Sequence, residues 1–422
     1  MAAREWGSCG PIFASTQRQR TITVVMVLLI ASTTGYQSQM FTEAAERLGI
    51  KLLLATDRCH VLEDPWGDRA VPIRFDEPES AMEAIAERGA ITGIVALGDR
   101  AAVAAALIAR GLGVRYNSPA SVEACHNKFL ARERFRAAGL PVPHFERIPL
   151  NANPAEAAER WAYPCVLKPL TLSGSRGVIR ANTPAEFVRA FERIRKLLEC
   201  KPGYLQVEEF IPGMEFALEG ILKNGELEVI ALFDKPDPLD GPFFEETIYV
   251  TPSRLPKQSQ LDITHATQRA VSALGLEHGP VHAEMRVNPR GVWMLEVAAR
   301  PIGGLCARAL PGLPERILTN AMGREWQKNE ATGPARGVMM IPIPRGGVLE
   351  SVAGIEEALA IPGIEDVVIT AKTGQRLIPL PEGSSYLGFV FANAANPAEA
   401  ELALREAHAR VRFEILGTLP VL

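Results

Sequence analysis

The sequence predicts a protein of mixed α/β and α+β class with three consecutive parts. These are an N-terminal domain on a parallel sheet, a larger mixed domain and a C-terminal α+β cap. Short apolar runs alternate with amphipathic stretches up to about residue 120, hairpin patterns follow to about residue 325, and the composition changes near residue 335. Strands that alternate with helices are typical of a parallel sheet with helices on its faces. We expect the boundaries of the three parts at 21–120, 121–330 and 331–422.

The first part is expected to be a Rossmann-like α/β domain. Strands are predicted at Ile22–Ala31, Lys51–Ala55 and Ile91–Leu97. The helices between and after them are predicted at 37–48, 80–88 and 100–110, and Gly111 is expected to end the last one. The first turn, residues 32–37, lacks the G-x-G-x-x-G pattern, so a dinucleotide site there is unsupported.

The N-terminus allows two interpretations. Arg18 and Arg20 before the apolar run Ile22–Ala31 resemble the start of a signal peptide. The β-branched residues of the run favour a buried first strand instead, and the run is too short to span a bilayer. Residues 1–20 have no periodicity, and we expect them to form a disordered extension.

Composition limits the classes of partner. The formal net charge of −4 gives no electrostatic reason to expect nucleic acid or an anionic membrane. None of the six cysteines forms a C-x-x-C pair, which favours free thiols in a reducing compartment. We therefore expect a cytoplasmic protein.

Helix-capping signals organise the middle and the end of the chain. Ser118-Pro119 predicts a helix start, and Gly139 predicts its end after a helical region up to Ala138. A capping box at Thr183–Glu186 predicts a helix over Pro184–Leu198. In the cap, strands are predicted at 338–343 and 367–370, and Asn396-Pro397 predicts the start of the final helix.

A candidate phosphate site follows an apolar strand. Lys168 ends the run Val166–Pro169, and a loop with Gly174 and Gly177 leads into the next strand. Glycines allow backbone N–H groups to fold over phosphate oxygens, and the lysine can bridge two phosphates. The pattern is not a P-loop, and a plain hairpin with a polar loop is the alternative. Lys128, on a predicted helix, is by itself typical of a solvated lysine.

A candidate metal site lies on the hairpin around residues 281–298. We predict a three-residue loop Pro289-Arg290-Gly291, which places Arg286 opposite Met294 and Glu284 opposite Glu296. Two glutamates side by side repel each other unless a cation lies between them, and Mg²⁺ prefers one or two carboxylates. The alternative is an exposed face on which the glutamates are hydrated or paired with Arg286 and Arg300.

Two further segments complete the pattern. Residues 205–216 form a strand, a turn and a second strand, which is either a structural hairpin or a turn that reads an adenine edge. Arg300 enters a glycine-containing loop, where its planar guanidinium suits a carboxylate or an acyl phosphate.

Together these segments resemble the ATP-grasp superfamily, most closely at residues 118–304. The resemblance rests on Asn127-Lys128 and on five longer motifs in the expected order: V-L-K-P at 166–169, G-S-R-G-V at 174–178, E-E-F-I-P-G-M-E at 208–215, H-A-E at 282–284 and L-E-V-A-A-R-P-I-G-G at 295–304. It implies a two-part ATP-grasp domain at 121–330 with a lid at about 145–205, after an N-terminal pre-ATP-grasp domain.

The resemblance also implies roles for individual residues. Lys128 and Lys168 would contact the phosphates of ATP, beneath a mobile loop of Gly174, Ser175, Arg176 and Gly177. Glu208, Phe210 and Ile211 would form the adenine hinge, the latter two through their backbone, and Glu215 would bind ribose. Glu284 and Glu296 would bind Mg²⁺, or Mn²⁺ in its place. Arg300 would hold the substrate carboxylate and its acyl phosphate.

One position departs from the family pattern. Many members have asparagine two residues after the second metal glutamate, and here Ala298 stands there. The predicted register places His282 opposite Ala298, so a compensating role for His282 is a hypothesis. The number of metal ions stays open.

Within the superfamily the chain is most similar to L-amino acid ligases and related dipeptide synthetases. The A-R-x-x-G-G ending with Gly303 and Gly304, and S-Y-L-G-F-V-F at 385–391, carry this resemblance. Glu245, Glu246 and Tyr249 are candidates for the acceptor pocket, or alternatively belong to an edge strand.

The reaction implied is ATP-dependent amide formation between a small-molecule carboxylate and an amine, with amino acids as substrates and an acyl phosphate intermediate. Other ATP-grasp reactions, such as purine-pathway ligation or carboxylation, are the first alternative. A non-catalytic ATP-binding module is the second. The oligomeric state stays open, a homodimer included.

Overall fold

The computed structural model describes residues 26–32, 36–57, 70–326 and 333–417. The predicted extension at 1–20, the start of the first strand at Ile22 and residues 33–35 of the first turn lie outside these residues. Within them, no helix is long and apolar enough to cross a membrane.

The N-terminal part is the predicted α/β unit. Its elements are β1 (Met26–Ala31), α1 (Tyr36–Leu48), β2 (Lys51–Thr56), β3 (Ala70–Pro72), α2 (Met82–Glu87), β4 (Ile91–Leu97) and α3 (Asp99–Leu112). The four strands pair in parallel in the order β3-β2-β1-β4. A 3₁₀ turn at Pro78–Ala81 precedes α2, so the predicted second helix begins later than expected.

The predicted end of α3 is wrong by two residues. The helix continues to Leu112, and Gly113, with φ +67°, forms the left-handed cap. Gly111 lies inside the helix, where Met82 packs against it: a Cβ at Gly111 would lie 2.1 Å from the Met82 sulfur. The Met82 side chain would have to shift if Gly111 carried a Cβ.

Two helices follow where one helical region was predicted. They are α4 (Pro119–His126) and α5 (Lys128–Ala137). Ser118 caps α4 as predicted, since its hydroxyl accepts from the Ser121 N–H. Asn127 has an extended backbone and caps α5 through its side chain, which accepts from the N–H groups of Phe129 and Leu130. This break places Lys128 at the first position of α5, in the turn closest to the cavity described below.

A small antiparallel sheet spans the segment that was predicted to be the lid, and we keep that name for it. Its elements are β5 (Phe145–Pro149), α6 (Pro154–Ala158), β6 (Cys165–Pro169), β7 (Ile179–Ala181), α7 (Pro184–Leu197) and β8 (Tyr204–Glu209). The strand order is β5-β8-β6-β7, and α7 packs Phe187, Phe191 and Ile194 into a separate apolar core. Thr183 caps α7 as predicted.

The remaining elements build one large sheet and one small one. In chain order they are β9 (Met214–Lys223), β10 (Glu226–Asp234), β11 (Ile248–Thr251), α8 (Lys257–Leu274), β12 (His278–Asn288), β13 (Gly291–Ala298), α9 (Leu313–Ala321), β14 (Ala335–Ile341), β15 (Gly347–Ala353), α10 (Ile355–Leu359), β16 (Ile364–Ile369), β17 (Arg376–Leu377), β18 (Gly388–Ala394), α11 (Pro397–His408) and β19 (Arg412–Leu416). Asn396 caps α11 as predicted.

The large sheet has eight strands in the order β13-β12-β9-β10-β11-β14-β18-β16. Three strands after residue 331 thus extend the sheet that carries the H-A-E segment, and β17, β15 and β19 form a separate three-stranded sheet. The boundary proposed at 331 stays a prediction, because strands on both sides of it hydrogen-bond in one sheet.

Candidate active site

A cavity of about 730 Å³ lies where the lid, the large sheet and the carboxyl ends of β1 and β4 meet. Such a crevice at the strand ends is the usual ligand position in parallel-sheet folds. The cavity is lined by every predicted site residue except Gly177 and Glu245: Lys128, Lys168, Gly174, Ser175, Arg176, Glu208, Phe210, Ile211, Glu215, Glu246, Tyr249, His282, Glu284, Glu296, Arg300, Gly303 and Gly304.

Buried charged side chains position the amino group of Lys168. Its amino group contacts the carboxylate of Glu208, and the Nε of Arg132 donates to the same carboxylate at 2.9 Å. Burial lowers the pKa of Lys168 to about 8, although Glu208 favours its charged form. Burial opposes ionisation of Glu208 too, but Arg132 and Lys168 outweigh it and lower its pKa to about 2. Glu208 therefore positions Lys168, and its predicted contact with adenine stays a prediction.

Lys128 lies between the lid loop and the hairpin. Its Nζ donates to the Leu172 carbonyl at 2.6 Å and lies 3.6 Å from the Glu296 carboxylate. Below it, Gly174 and Ser175 have φ of +62° and +54°, a backbone conformation that turns successive N–H groups toward one side. Gly177 was predicted to be part of the phosphate loop, but its N–H donates to the Pro381 carbonyl at 2.8 Å instead.

The predicted adenine hinge is a tightly packed turn. The ring of Phe210 packs against the guanidinium groups of Arg180 and Arg286, which lie 4.1 and 4.9 Å from the ring centre. The Phe210 N–H donates to the Pro164 carbonyl, and the Ile211 carbonyl accepts from Arg286 at 2.8 Å. These backbone groups already have partners, so their contacts with adenine stay a prediction.

The hairpin of β12 and β13 pairs the two predicted metal ligands, but not through the predicted loop. The loop has two residues, with Asn288 opposite Gly291, and Arg286 lies opposite Trp293 rather than Met294. A bulge at Leu295 restores the predicted register, so Glu284 lies opposite Glu296 and His282 lies opposite Ala298. The prediction of the loop was wrong, and the pairing of the glutamates is confirmed.

The carboxylates fit a hard divalent cation. Glu284 and Glu296 are cross-strand neighbours, and their side chains are 21% and 26% exposed toward the cavity. Two oxygen donors with room for water and phosphate match what Mg²⁺ prefers. Neither glutamate pairs with Arg286 or Arg300 in the manner of the alternative interpretation, because those arginines bind Glu215 and Asp99.

Lys235 is a functional candidate that the sequence analysis missed. Its buried amino group lies 2.9 Å from Glu215, 2.6 Å from Glu246 and 3.0 Å from Glu284. The oxygens of these three glutamates lie within 4.8 Å of one another, so this trio is a second place that fits a cation. Lys168 and Lys235 both stand at the end of an apolar strand that reaches the cavity. This shared pattern is the signal in the sequence by which Lys235 could have been found.

Burial and mutual repulsion shift the pKa values of Glu246 and Glu284 in opposite directions. Burial raises the pKa of Glu246 to about 7, and the charge of Glu284 adds to the shift despite Lys235. Burial opposes the ionisation of Glu284, but Lys235 and His282 hold its pKa well below the usual range. Tyr249 donates to Glu246 at 2.7 Å and lies in β11, which has a neighbour on each side, so the edge-strand alternative is wrong.

His282 is held by a second residue that was missed, Glu219. The Nδ1 of His282 contacts the Glu219 carboxylate, whose other oxygen accepts from the Ile302 N–H at 3.2 Å. Burial disfavours the imidazolium, but Glu219 outweighs burial and raises the pKa of His282 to about 9. The Nε2 lies 3.3 Å from Glu284, so His282 places a positive charge beside a predicted metal ligand.

Arg300 is oriented by the N-terminal domain. Asp99, the first residue of α3, accepts its Nε at 2.8 Å and its Nη2 at 3.1 Å. This bidentate contact fixes the plane of the guanidinium. Asp99 was missed because it lies far from Arg300 in sequence, although a helix start at the carboxyl end of a parallel strand is a usual position for functional residues.

Family comparisons agree with this geometry. Residues 161–309 match the ATP-grasp domain, and residues 339–416 match the L-amino acid ligase C-terminal domain 2. The chain therefore contains an ATP-grasp domain, a domain that uses ATP and Mg²⁺, followed by an L-amino acid ligase C-terminal domain.

Solved structures and relatives narrow the class. An L-amino acid ligase from Bacillus licheniformis is 26% identical, with a TM-score of 0.81 over 94% of this chain and 100% of that one. Carboxyaminoimidazole ribonucleotide synthase from Aspergillus clavatus, solved with ATP, is 20% identical, with a TM-score of 0.70 over 91% of this chain and 99% of that one, and shares the fold. Alanine–anticapsin ligase of Bacillus subtilis is 28% identical over 213 residues, 46% of this chain.

The match with alanine–anticapsin ligase spans 44% of the length of that enzyme. Taken with the C-terminal domain, these matches confirm the resemblance to L-amino acid ligases. They indicate an ADP-forming enzyme that joins carbon to nitrogen.

Proposed function

We propose that this protein joins the carboxylate of one amino acid to the amino group of another, with conversion of ATP to ADP and phosphate. The observation that carries the proposal is the single cavity that combines two phosphate-facing lysines, a pair of carboxylates and an oriented arginine. The L-amino acid ligase and alanine–anticapsin ligase relatives support amino acids as substrates.

In the first step, a substrate carboxylate oxygen attacks the γ-phosphorus of ATP, and the bond to the β-phosphate oxygen breaks. Phosphoryl transfer depends on positioning and on neutralised charge rather than on a protein nucleophile. Lys128 and Lys168 neutralise the phosphates, and Arg300 binds the carboxylate that becomes the acyl phosphate. Glu284 and Glu296 would hold Mg²⁺, which would supply further neutralisation of the phosphate charge.

In the second step, the amine attacks the acyl carbon, and phosphate leaves with the electrons of the carbon–oxygen bond. Water must be excluded during this interval, because it would hydrolyse the acyl phosphate. The Gly174–Gly177 loop already contacts the C-terminal part through the bond to Pro381, which supports its role as a lid.

Substrate amino groups have a natural partner on the opposite wall of the cavity. Glu246, supported by Tyr249, already binds the ammonium of Lys235 and could bind a substrate ammonium in the same way. Gly303 and Gly304 leave space beside Arg300, where a Cβ at Gly304 would approach Phe389 at 3.1 Å. We assign this space to the substrate side chain.

The predicted domains acquire roles in this proposal. Residues 21–120 orient Arg300 through Asp99, residues 121–330 bind the nucleotide beneath the lid at about 145–205, and residues 331–422 close the substrate side. The need for ATP supports a cytoplasmic location.

The direct test is release of ADP from Mg-ATP with amino acids offered singly and in pairs. Release that requires particular amino acids, and that Lys168→Ala abolishes, is expected. Lys196→Ala, at an exposed position on α7, is the matched control and should retain activity. Normal ATP binding without stimulation by any amino acid would contradict the proposal and favour other carboxylates or a binding role.

A further inference from the structure

The position of Glu296 depends on one extra residue in its strand. Met294 is opposite Met285 and packs with it in the apolar core beneath the sheet. Residues two apart in a regular strand point to the same face, so Glu296 would follow Met294 into the core. The bulge at Leu295 prevents this, because it shifts the following residues to the opposite face.

A bulge interrupts the ladder and leaves backbone groups in need of partners. Here the partner is a buried guanidinium. The Nη1 of Arg132 donates to the Met294 carbonyl at 2.8 Å and to the Leu295 carbonyl at 3.1 Å. Arg132 is 1% exposed, so water does not compete for these bonds.

The same guanidinium holds the phosphate side of the cavity. Its Nε and Nη2 donate to the two oxygens of Glu208 at 2.9 and 3.2 Å, and Glu208 contacts the amino group of Lys168. One turn earlier on α5, Lys128 lies 3.6 Å from the carboxylate of Glu296.

We propose that Arg132 is a positioning residue that couples the phosphate-binding lysine to the metal-binding carboxylate. Through its bonds to the bulge it keeps Glu296 on the cavity face, and through Glu208 it keeps Lys168 in place. The inference rests on the proposed binding of a nucleotide and a divalent cation in this cavity. It assigns Arg132 no contact with either ligand.

The test is binding of Mn²⁺ in the presence of ADP, followed through the electron paramagnetic resonance signal of free Mn²⁺. Arg132→Lys keeps a positive charge but cannot hold Glu208 and both carbonyls at once. Loss of residues that support metal ligands typically weakens metal binding about 10–100-fold, and we expect that range for Arg132→Lys.

Arg134→Met is the matched control. Arg134 lies on the same helix and also donates to two backbone carbonyls, those of Leu274 and Ala120, away from the cavity. It should lower the melting temperature but leave Mn²⁺ affinity within about 2-fold, because its bonds support no metal ligand. A folded Arg132→Lys protein that binds Mn²⁺ as wild type does would overturn the proposal.

A buried charge without its partner can prevent folding. If Arg132→Lys does not fold, Arg132→Met combined with Glu208→Gln removes both charges and is compared with Glu208→Gln alone. Weaker Mn²⁺ binding in the double variant is expected, and equal binding would overturn the proposal. A wild-type protein that binds Mn²⁺ and ADP but joins no amino acids would end the proposed function and leave this inference standing.

Discussion

Replacement of Lys235 by methionine tests the electrostatics of the cavity most sharply. The amino group of Lys235 lies within 3.0 Å of three carboxylates, and the side chain is 2% exposed. Lys235→Met keeps much of the volume and removes the charge. The carboxylates of Glu215, Glu246 and Glu284 would then face one another without their cation.

The expected loss of stability is several kcal/mol. Breaking a buried ion pair by removal of one partner costs about 3–5 kcal/mol. With an unfolding entropy of about 2.1 cal/mol/K per residue, a chain of 422 residues that unfolds as one unit would lose about 3–6 °C in melting temperature. The loss should be smaller at low pH than at high pH, because removal of Lys235 raises the pKa of Glu246 further, and a protonated Glu246 relieves the repulsion.

The assay is thermal melting with and without Mg²⁺. Mg²⁺ should stabilise Lys235→Met by about 3 kcal/mol at 100 times the dissociation constant of the site formed by the three carboxylates, because the ion replaces the lost ammonium. Wild type should gain less at this site, because the ammonium of Lys235 already occupies it. Lys223→Met is the control, since Lys223 forms an exposed ion pair with Glu325. A Lys235→Met protein that melts like wild type and gains nothing from Mg²⁺ would refute the reasoning.

Three further predictions concern binding and catalysis. Nucleotide affinity should fall by up to about 10-fold per pH unit above pH 8, because Lys168 then loses its proton; a flat profile of a fluorescent ATP analogue between pH 7 and 9.5 would contradict this. Asp99→Asn should lower kcat/KM for the carboxylate substrate about 10–100-fold without weaker ATP binding, because Arg300 loses its bidentate support; equal kinetics would exclude that role. Gly304→Ala places a Cβ 3.1 Å from the Phe389 ring at φ +59°, so it should cost about 1–3 kcal/mol of stability and lower the activity with large substrates. An unchanged melting temperature together with unchanged activity across a series of substrate sizes would contradict this.

Local signals predicted much of the fold. The caps at Ser118, Thr183 and Asn396 are all present, because each side chain accepts from an N–H three residues away and needs no distant partner. The parallel N-terminal sheet also follows from alternation along a short stretch of chain. The alternation identifies the strands and helices, although the pairing of β1 with β4 joins segments about 65 residues apart.

Pairings between distant segments could not be predicted. The composition change near residue 335 indicated a separate cap, but β14 pairs with β11 across nearly ninety residues of chain and joins the large sheet. The facing of Glu284 and Glu296 was predicted through a loop one residue too long, and the bulge at Leu295 compensated for that error. Arg132, on helix α5, donates to the carbonyls of this bulge, and a contact between such distant segments leaves no local pattern in the sequence.

The residues of the cavity also divide into those that local motifs predict and those that depend on contacts between distant segments. Lys128, Lys168, Glu284 and Arg300 lie in motifs, and the sequence placed them in one site. Their partners were missed because each contact joins residues that lie far apart in sequence: Arg132 reaches Glu208, Glu219 reaches His282 across two paired strands, and Asp99 reaches Arg300. These partners control the charge of the cavity and so determine the chemistry it can perform.

Attack of a substrate carboxylate on the γ-phosphate is the central claim of the proposed function. The most direct measurement uses ¹⁸O in the carboxylate of the amino acid that stimulates ADP release, followed by mass spectrometry of the phosphate. An acyl phosphate intermediate transfers one ¹⁸O atom from the carboxylate to inorganic phosphate when the amide forms. Phosphate that carries one ¹⁸O per amide formed is the predicted result. Unlabelled phosphate, or label in AMP, would contradict the claim.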